Sequence, residues 1–149
     1  MRTVSYVDIA GQHAGIKDAL LQAAARVIER GQFVLGAEVE AFERKFAELC
    51  EVPFAVGVNS GTDALILALR VLGIGAGDEV ITAPNSFVAT ASAIALVGAR
   101  PVFVDVRDDL NLDPGRLESA VTARTKAIMP VHLTGRPADM DPILAVARR

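Results

Sequence analysis

After Pro53 the chain alternates between short apolar runs bounded by turn residues and amphipathic stretches of helical period, and this alternation restricts the fold more than any other feature. The runs at 54–59, 79–83, 101–106 and 126–133 read as strands, and the stretches at 62–72, 87–97 and 114–122 read as the helices between them. Consecutive parallel strands can be joined only by a crossover, usually a helix. The order therefore predicts an α/β fold, a mostly parallel sheet with helices on both faces. Turn residues fall where this scheme needs them. Gly73, Gly75 and Gly77 precede Asp78, Gly98 precedes the third strand, and Asp113 with Pro114 supplies an N-cap and a first helical residue.

The first 52 residues follow a different rule. Ile16, Leu20, Ala23, Val27 and Ile28 form one stripe of a helix over 15–30 that Gly31 can close. A second helix carries Val39, Phe42, Phe46 and Leu49 on one side and Glu38, Glu40, Glu43, Arg44 and Lys45 on the other. The expected organisation is one domain over 1–149, with a helical segment at 1–52 and βα units at 53–149. Asp141 and Pro142 open another helix, which reaches Arg149 after about two turns against a usual eleven residues or so. The domain is therefore expected to be incomplete.

Composition removes several classes. The chain is 52% apolar and 22% charged, a balance that supports a packed core and not a disordered segment. Fifteen basic residues are scattered among eighteen acidic ones, so there is no basic face for nucleic acid. The longest apolar run, 89–97, is broken by Thr90 and Ser92 and is too short to span a bilayer; cytoplasmic residence is expected. No metal site is expected. The single cysteine, Cys50, cannot form an internal disulfide and is expected to be a buried, inert thiol near the end of the second helix.

In an open parallel sheet, ligands bind beyond the carboxyl ends of the strands, where helix N-termini present unpaired N–H groups. The best candidate there is Asn59-Ser60-Gly61-Thr62-Asp63. Ser60 and Thr62 offer hydroxyls, Gly61 admits an anion close to the backbone, and the helix adds its positive end. The same tripeptide serves equally as a plain helix cap. Asp63 is expected to turn its carboxylate away and lend only its N–H. Phe87, beyond the next strand, is either an aromatic plate for a flat heterocycle or a core residue. His132, near the end of the fourth strand, faces either the ligand edge or a helix, and Asp105 reads as a strand-ending turn residue.

Taken in order, several motifs resemble one family. They are Gly31-Gln32-Phe33-Val34-Leu35-Gly36 with Glu38 to Glu43, Ser60-Gly61-Thr62-Asp63-Ala64-Leu65, Gly77-Asp78-Glu79-Val80-Ile81, Ser86-Phe87-Val88-Ala89-Thr90, Gly98 to Val106, and Val131-His132-Leu133-Thr134-Gly135. Together they resemble the DegT/StrS family of fold type I pyridoxal phosphate (PLP) enzymes, aminotransferases that act on keto groups of nucleotide-linked sugars. The resemblance implies that Ser60, Gly61, Thr62 and Asp63 hold the PLP phosphate and that Phe87 stacks on the ring; His132, from its place near the end of the fourth strand, is a candidate substrate contact. It implies glutamate or glutamine as amino donor, a ping-pong reaction and a homodimer.

The family's pyridinium-pairing aspartate and its covalently linked lysine belong to later motifs, expected beyond Arg149. No catalytic residue is therefore expected in this chain. Lys17 and Lys45 sit on the polar sides of their helices, and Lys126 opens its strand roughly 20 Å from the ligand edge. On this reading the piece alone is inactive, and the 54–59 strand lacks the neighbour that later strands would provide. Two alternatives remain open: a non-catalytic PLP- or phosphate-binding regulatory module, and a family dehydratase. A generic dinucleotide-binding domain is not supported, because no Gly-x-Gly-x-x-Gly or Gly-x4-Gly-Lys-Ser/Thr run follows a strand.

Overall fold

The computed structural model describes residue 4 and residues 6–149. The chain divides into two compact units, one ending at Gly57 and one starting at Val58.

The first unit is helical. Helix α1 (Ile9–Ala14) is capped by Asp8, whose carboxylate accepts the Gly11 N–H at 2.8 Å. Helix α2 (Lys17–Arg30) ends at Gly31, whose φ of 65° lets its N–H reach back to the carbonyls of Val27 and Ile28. The helix expected over 15–30 is α2; α1 precedes that range and is an additional element, set off from α2 at Gly15 and Ile16, the latter outside helical geometry. Helix α3 (Ala37–Leu49) buries Ala47 and stacks Phe42 on Phe46, one turn apart, with ring centroids 5.6 Å apart. An Arg30–Glu38 pair at 2.6 Å joins α2 to α3. The apolar stripes stay largely uncovered: Ile28 and Phe42 are both more than half exposed. Cys50 is exposed as well, contrary to expectation, because α3 ends there with nothing packed over it among the described residues.

The strand expected at 54–59 does not form. A strand exists through its ladder, and among the described residues none lies alongside this one. Phe54 and Val56 stand open to solvent, and the Gly57 N–H donates instead to the Glu43 carboxylate at 2.6 Å.

The second unit is a three-stranded parallel sheet in the order β2-β1-β3, with β1 at Glu79–Thr82, β2 at Arg100–Phe103 and β3 at Thr125–Met129. All four residues of β1 are buried, as a central strand with both faces covered requires. Alternation sends neighbouring side chains to opposite faces. Val80 packs with Leu69, Ile74, Ala93 and Ile94 of α4 (Gly61–Val71), α5 (Ala89–Leu96) and their connections. Ile81 packs with Val104, Leu112, Leu117 and Ile143, under α6 (Leu117–Ala120) and α7 (Met140–Ala147). Helices on both faces of a parallel sheet match the α/β expectation.

The last two strands are shorter than expected. Val104 still donates its N–H to Thr82, but the β3 ladder ends at Met129, since Pro130 has no N–H to give and Leu133–Gly135 winds into a 3-10 turn. The helix expected at 114–122 begins as a 3-10 turn, Pro114–Arg116, with Asp113 accepting the Gly115 N–H at 2.9 Å.

The amino edge of the sheet is closed by one carboxylate. Glu79, only 1% exposed, accepts from Arg100 at 2.5 Å, from Arg124 Nε at 2.8 Å and from the Thr122 hydroxyl at 2.7 Å. These bonds, that from Arg100 foremost, lower its pKa to about 2 against the opposing effect of burial. Three strand starts are tied at one point. Among the described residues no helix is long and apolar enough to cross a membrane, and no acidic, histidine or cysteine cluster is arranged to hold a metal.

Candidate functional site

Helix α4 ends at the amino edge, where the chain turns into β1, so its start points to the carboxyl edge; α5 lies against it and starts just past the carboxyl end of β1. Two helix N-termini therefore stand side by side where an open parallel sheet takes its ligands.

Ser60 is the N-cap of α4. Its backbone is extended, and its hydroxyl oxygen accepts the Asp63 N–H at 3.1 Å while donating to the Asp63 carboxylate at 2.9 Å. The first bond is that of a capping box; the second differs, since the Asp63 carboxylate takes the Ser60 hydroxyl and not its backbone N–H. It corrects the expectation for Asp63: the carboxylate turns back onto Ser60 and its N–H is taken, because the short side chain three residues into the helix sits within reach of the cap. Among the described residues, the N–H groups of Gly61 and Thr62 have no protein acceptor, as the first turn of a helix dictates.

Gly61 is informative because the fold does not need it. Its φ is not in the left-handed region, and no atom lies within 4 Å of where a Cβ would stand. Neither backbone conformation nor crowding by the protein calls for glycine, and the space before the two free N–H groups is left open. A phosphate ester, three acceptor oxygens on a small group, fits such a place.

Phe87 sits on the turn before α5. Its carbonyl accepts the Thr90 N–H at 3.0 Å, and the Ser86 hydroxyl donates to Thr90 Oγ1 at 2.7 Å, which fixes the turn. The residue is 77% exposed and belongs to neither core cluster of the described residues. Asp105 Oδ1 accepts the following N–H, of Val106, at 2.9 Å, a turn role.

His132 lies three residues past the end of β3, exposed, with Nδ1 accepting the Ala138 N–H at 2.9 Å. The loop it begins is strained: Thr134 has φ 53°, which for a β-branched residue costs on the order of 1–3 kcal/mol, and Gly135 follows at φ 82°. What holds the loop is Asn111. This side chain is fully buried, and its amide bonds to three backbone groups between Leu133 and Pro137. Sequence reading missed Asn111, which sits in the polar run 107–111 and carries no mark of burial. It also missed the Glu79 cluster.

A cavity of about 510 Å³ lies elsewhere, within the first unit, between α3 and residues 51–55. Glu40, Glu43, Glu48 and Glu51 line it against one arginine, Arg44, so it opposes an anionic ligand.

An open parallel sheet with helices on both faces and two helix starts at its carboxyl edge defines the chain as an α/β protein. The family model described as DegT/DnrJ/EryC1/StrS aminotransferase matches residues 14–149, and the chain belongs to that family. A dTDP-3-amino-3,4,6-trideoxy-alpha-D-glucose transaminase of Streptomyces venezuelae is 47% identical over 98% of this chain and 39% of its own length. The crystal structure of S. venezuelae DesV covers the whole chain with a TM-score of 0.97 at 46% identity, and 40% of that structure is matched. NtdA from Bacillus subtilis, solved with bound cofactor PMP, covers 99% of the chain with a TM-score of 0.90 at 34% identity, over 35% of its own length. The chain thus spans about two fifths of the length of these relatives.

Proposed function

We propose that this chain is the cofactor-binding portion of a PLP-dependent aminotransferase that aminates the keto group of a nucleotide-linked sugar. The observation that carries the reading is Gly61, a glycine that neither strain nor packing requires, standing before two unpaired N–H groups at the start of α4. In this reading the Gly61 and Thr62 amides and the hydroxyls of Ser60 and Thr62 hold the cofactor phosphate. Ser60 then transfers its donated hydrogen bond from Asp63 to the phosphate, and Asp63 keeps the hydroxyl oriented through its own N–H. Phe87 lies against the ring and shields one face from water. His132 contacts the cofactor or the substrate from the loop beyond β3. When bound, PLP supplies a ring that withdraws electrons from the carbon bearing the amino group.

The relatives support the substrate class, since one carries a dTDP-linked amino sugar in its name, and PMP is the aminated form of PLP. Glutamate or glutamine as donor, a homodimer, cytoplasmic residence and a single domain made of residues 1–52 and 53–149 belong to the same reading. The covalently linked lysine is assigned to a later motif of the family. Lys126, exposed at the amino edge of β3, is on the wrong side of the sheet. The 149 residues alone are expected to show no amino transfer, and turnover by that stretch would overturn this part.

The direct test is titration of the full-length protein with PLP, followed by absorbance and by quenching of intrinsic fluorescence. Micromolar binding that Gly61→Leu weakens about a hundredfold supports the site. Equal binding by both proteins sinks it.

A further inference from the structure

We propose that Asn111 is a positioning residue: it fixes the loop 132–138 as a rigid arm that presents the His132 Nε2–H, in a single tautomer, to an anionic oxygen of the molecule bound at the carboxyl edge. The inference rests on the reading that this edge binds a ligand.

The Asn111 amide directs three hydrogen bonds at one loop. Its Oδ1 accepts the Leu133 N–H at 3.1 Å, and its Nδ2 donates to the carbonyls of Arg136 at 3.3 Å and Pro137 at 3.4 Å. Asn111 is itself anchored, 1% exposed, with its carbonyl accepting the Arg107 N–H at 3.0 Å and its N–H donating to Asp109 Oδ1 at 3.0 Å. Both ends of the arm are thus clamped to one buried point. At the far end Ala138 is packed in the core with Ile81 and Leu117, and its N–H donates to His132 Nδ1 at 2.9 Å. A neutral imidazole that accepts at Nδ1 carries its proton on Nε2.

That Nε2–H belongs to an exposed ring and has no acceptor among the described residues. The result is a donor whose direction is set in advance, on the loop that follows the carboxyl end of β3. An oriented donor of this kind favours a negatively charged oxygen, and a bond to such a group is worth more than a neutral one. The oxygen comes from one of two sources: the phenolate of the cofactor ring, or the diphosphate of a sugar nucleotide. A staple that only satisfied backbone groups would alter stability alone and leave the ring's protonation site and ligand affinity where they were.

The test uses full-length protein with 15N-labelled histidine, free of cofactor, the His132 signal being assigned by its loss in His132→Gln. Expected is one tautomer with the proton on Nε2, turning into a mixture in Asn111→Ala and recovering in part in Asn111→Asp, which keeps an acceptor for the Leu133 N–H. Affinities for PLP and, separately, for dTDP-glucose are then measured. His132→Phe is expected to weaken one of them about tenfold or more, and His132→Gln, which keeps a donor near the Nε2 position, to restore most of the loss. The probe that weakens identifies the oxygen. A wild-type His132 with its proton on Nδ1, or exchanging between both nitrogens, overturns the proposal even if the Asn111 variants do not fold. So does a His132→Phe protein that binds both probes as the wild type does. If the wild type binds neither probe, the cofactor reading falls and the proposal with it; if PLP binds and only the His132 results are negative, the arm falls alone.

Discussion

The two edges of the sheet are built from the same three strands and treat polar groups in opposite ways. At the amino edge, Glu79 is buried and met by Arg100, Arg124 and Thr122, so its charge is answered from within the chain. At the carboxyl edge, the Gly61 and Thr62 amides have no acceptor among the described residues, Phe87 is uncovered, and His132 has one nitrogen engaged and one free. Both edges contain charge and hydrogen-bonding capacity; the difference is where it is spent. Satisfied polar groups stabilise a fold, while unspent ones in a fixed direction are what a ligand can use.

Substitutions that separate stability from binding test this contrast. The largest expected effect falls on the floor common to both edges: Ile81→Ala removes a fully buried side chain and should cost about 2–5 kcal/mol in denaturant unfolding, with binding lost only through unfolding. Next is Gly61→Leu. It should leave the unfolding midpoint unchanged or slightly higher, since glycine is the poorer helix former, while raising the PLP dissociation constant about a hundredfold, or about 2.8 kcal/mol. If stability drops instead, Gly61 serves the fold and the contrast is false.

Ser60→Ala lies between the two classes. It removes an N-cap worth about 1 kcal/mol and a phosphate contact together, so both readouts should move. The effect of Glu79 is read through its pH dependence. Its pKa in the fold is lowered to about 2 from an ordinary 4.5, so its stabilisation is fully present above about 4.5 and is lost as pH falls toward 2. Acid unfolding profiles of wild type and Glu79→Gln should therefore differ in slope across that window, and coincident slopes would remove the carboxylate from the account.

Local pattern carried most of the architecture. The cores of β1, β2 and β3, the turn at Gly31 and helices α3, α4 and α5 follow from period and punctuation, which are properties of short windows. The misses share a cause of another kind. The run at 54–59 has the composition of a strand, but pairing is a property of two segments, and the partner is not among the described residues. Glu79 meets Thr122 and Arg124, 43 and 45 positions later, and Asn111 meets Leu133 22 positions later; neither spacing leaves a trace in a local window. Cys50 was misplaced because an amphipathic stripe shows which side would be covered and not whether anything covers it.

At the candidate site, the hydroxyl-glycine-hydroxyl run marked the start of α4 correctly, since helix caps are local. The direction of the Asp63 carboxylate was not legible. It depends on a side-chain exchange with Ser60 that residue type alone leaves open.

The strand order has a consequence for synthesis. Because β1 lies between β2 and β3, its second ladder is supplied by residues 125–129, long after β1 itself has left the ribosome. A nascent chain paused before that point has Arg100 available to Glu79 but neither Arg124 nor Thr122, and has no β3 to cover one side of its middle strand. The most deeply covered segment of the finished molecule is thus, for a time, its most vulnerable to mispairing.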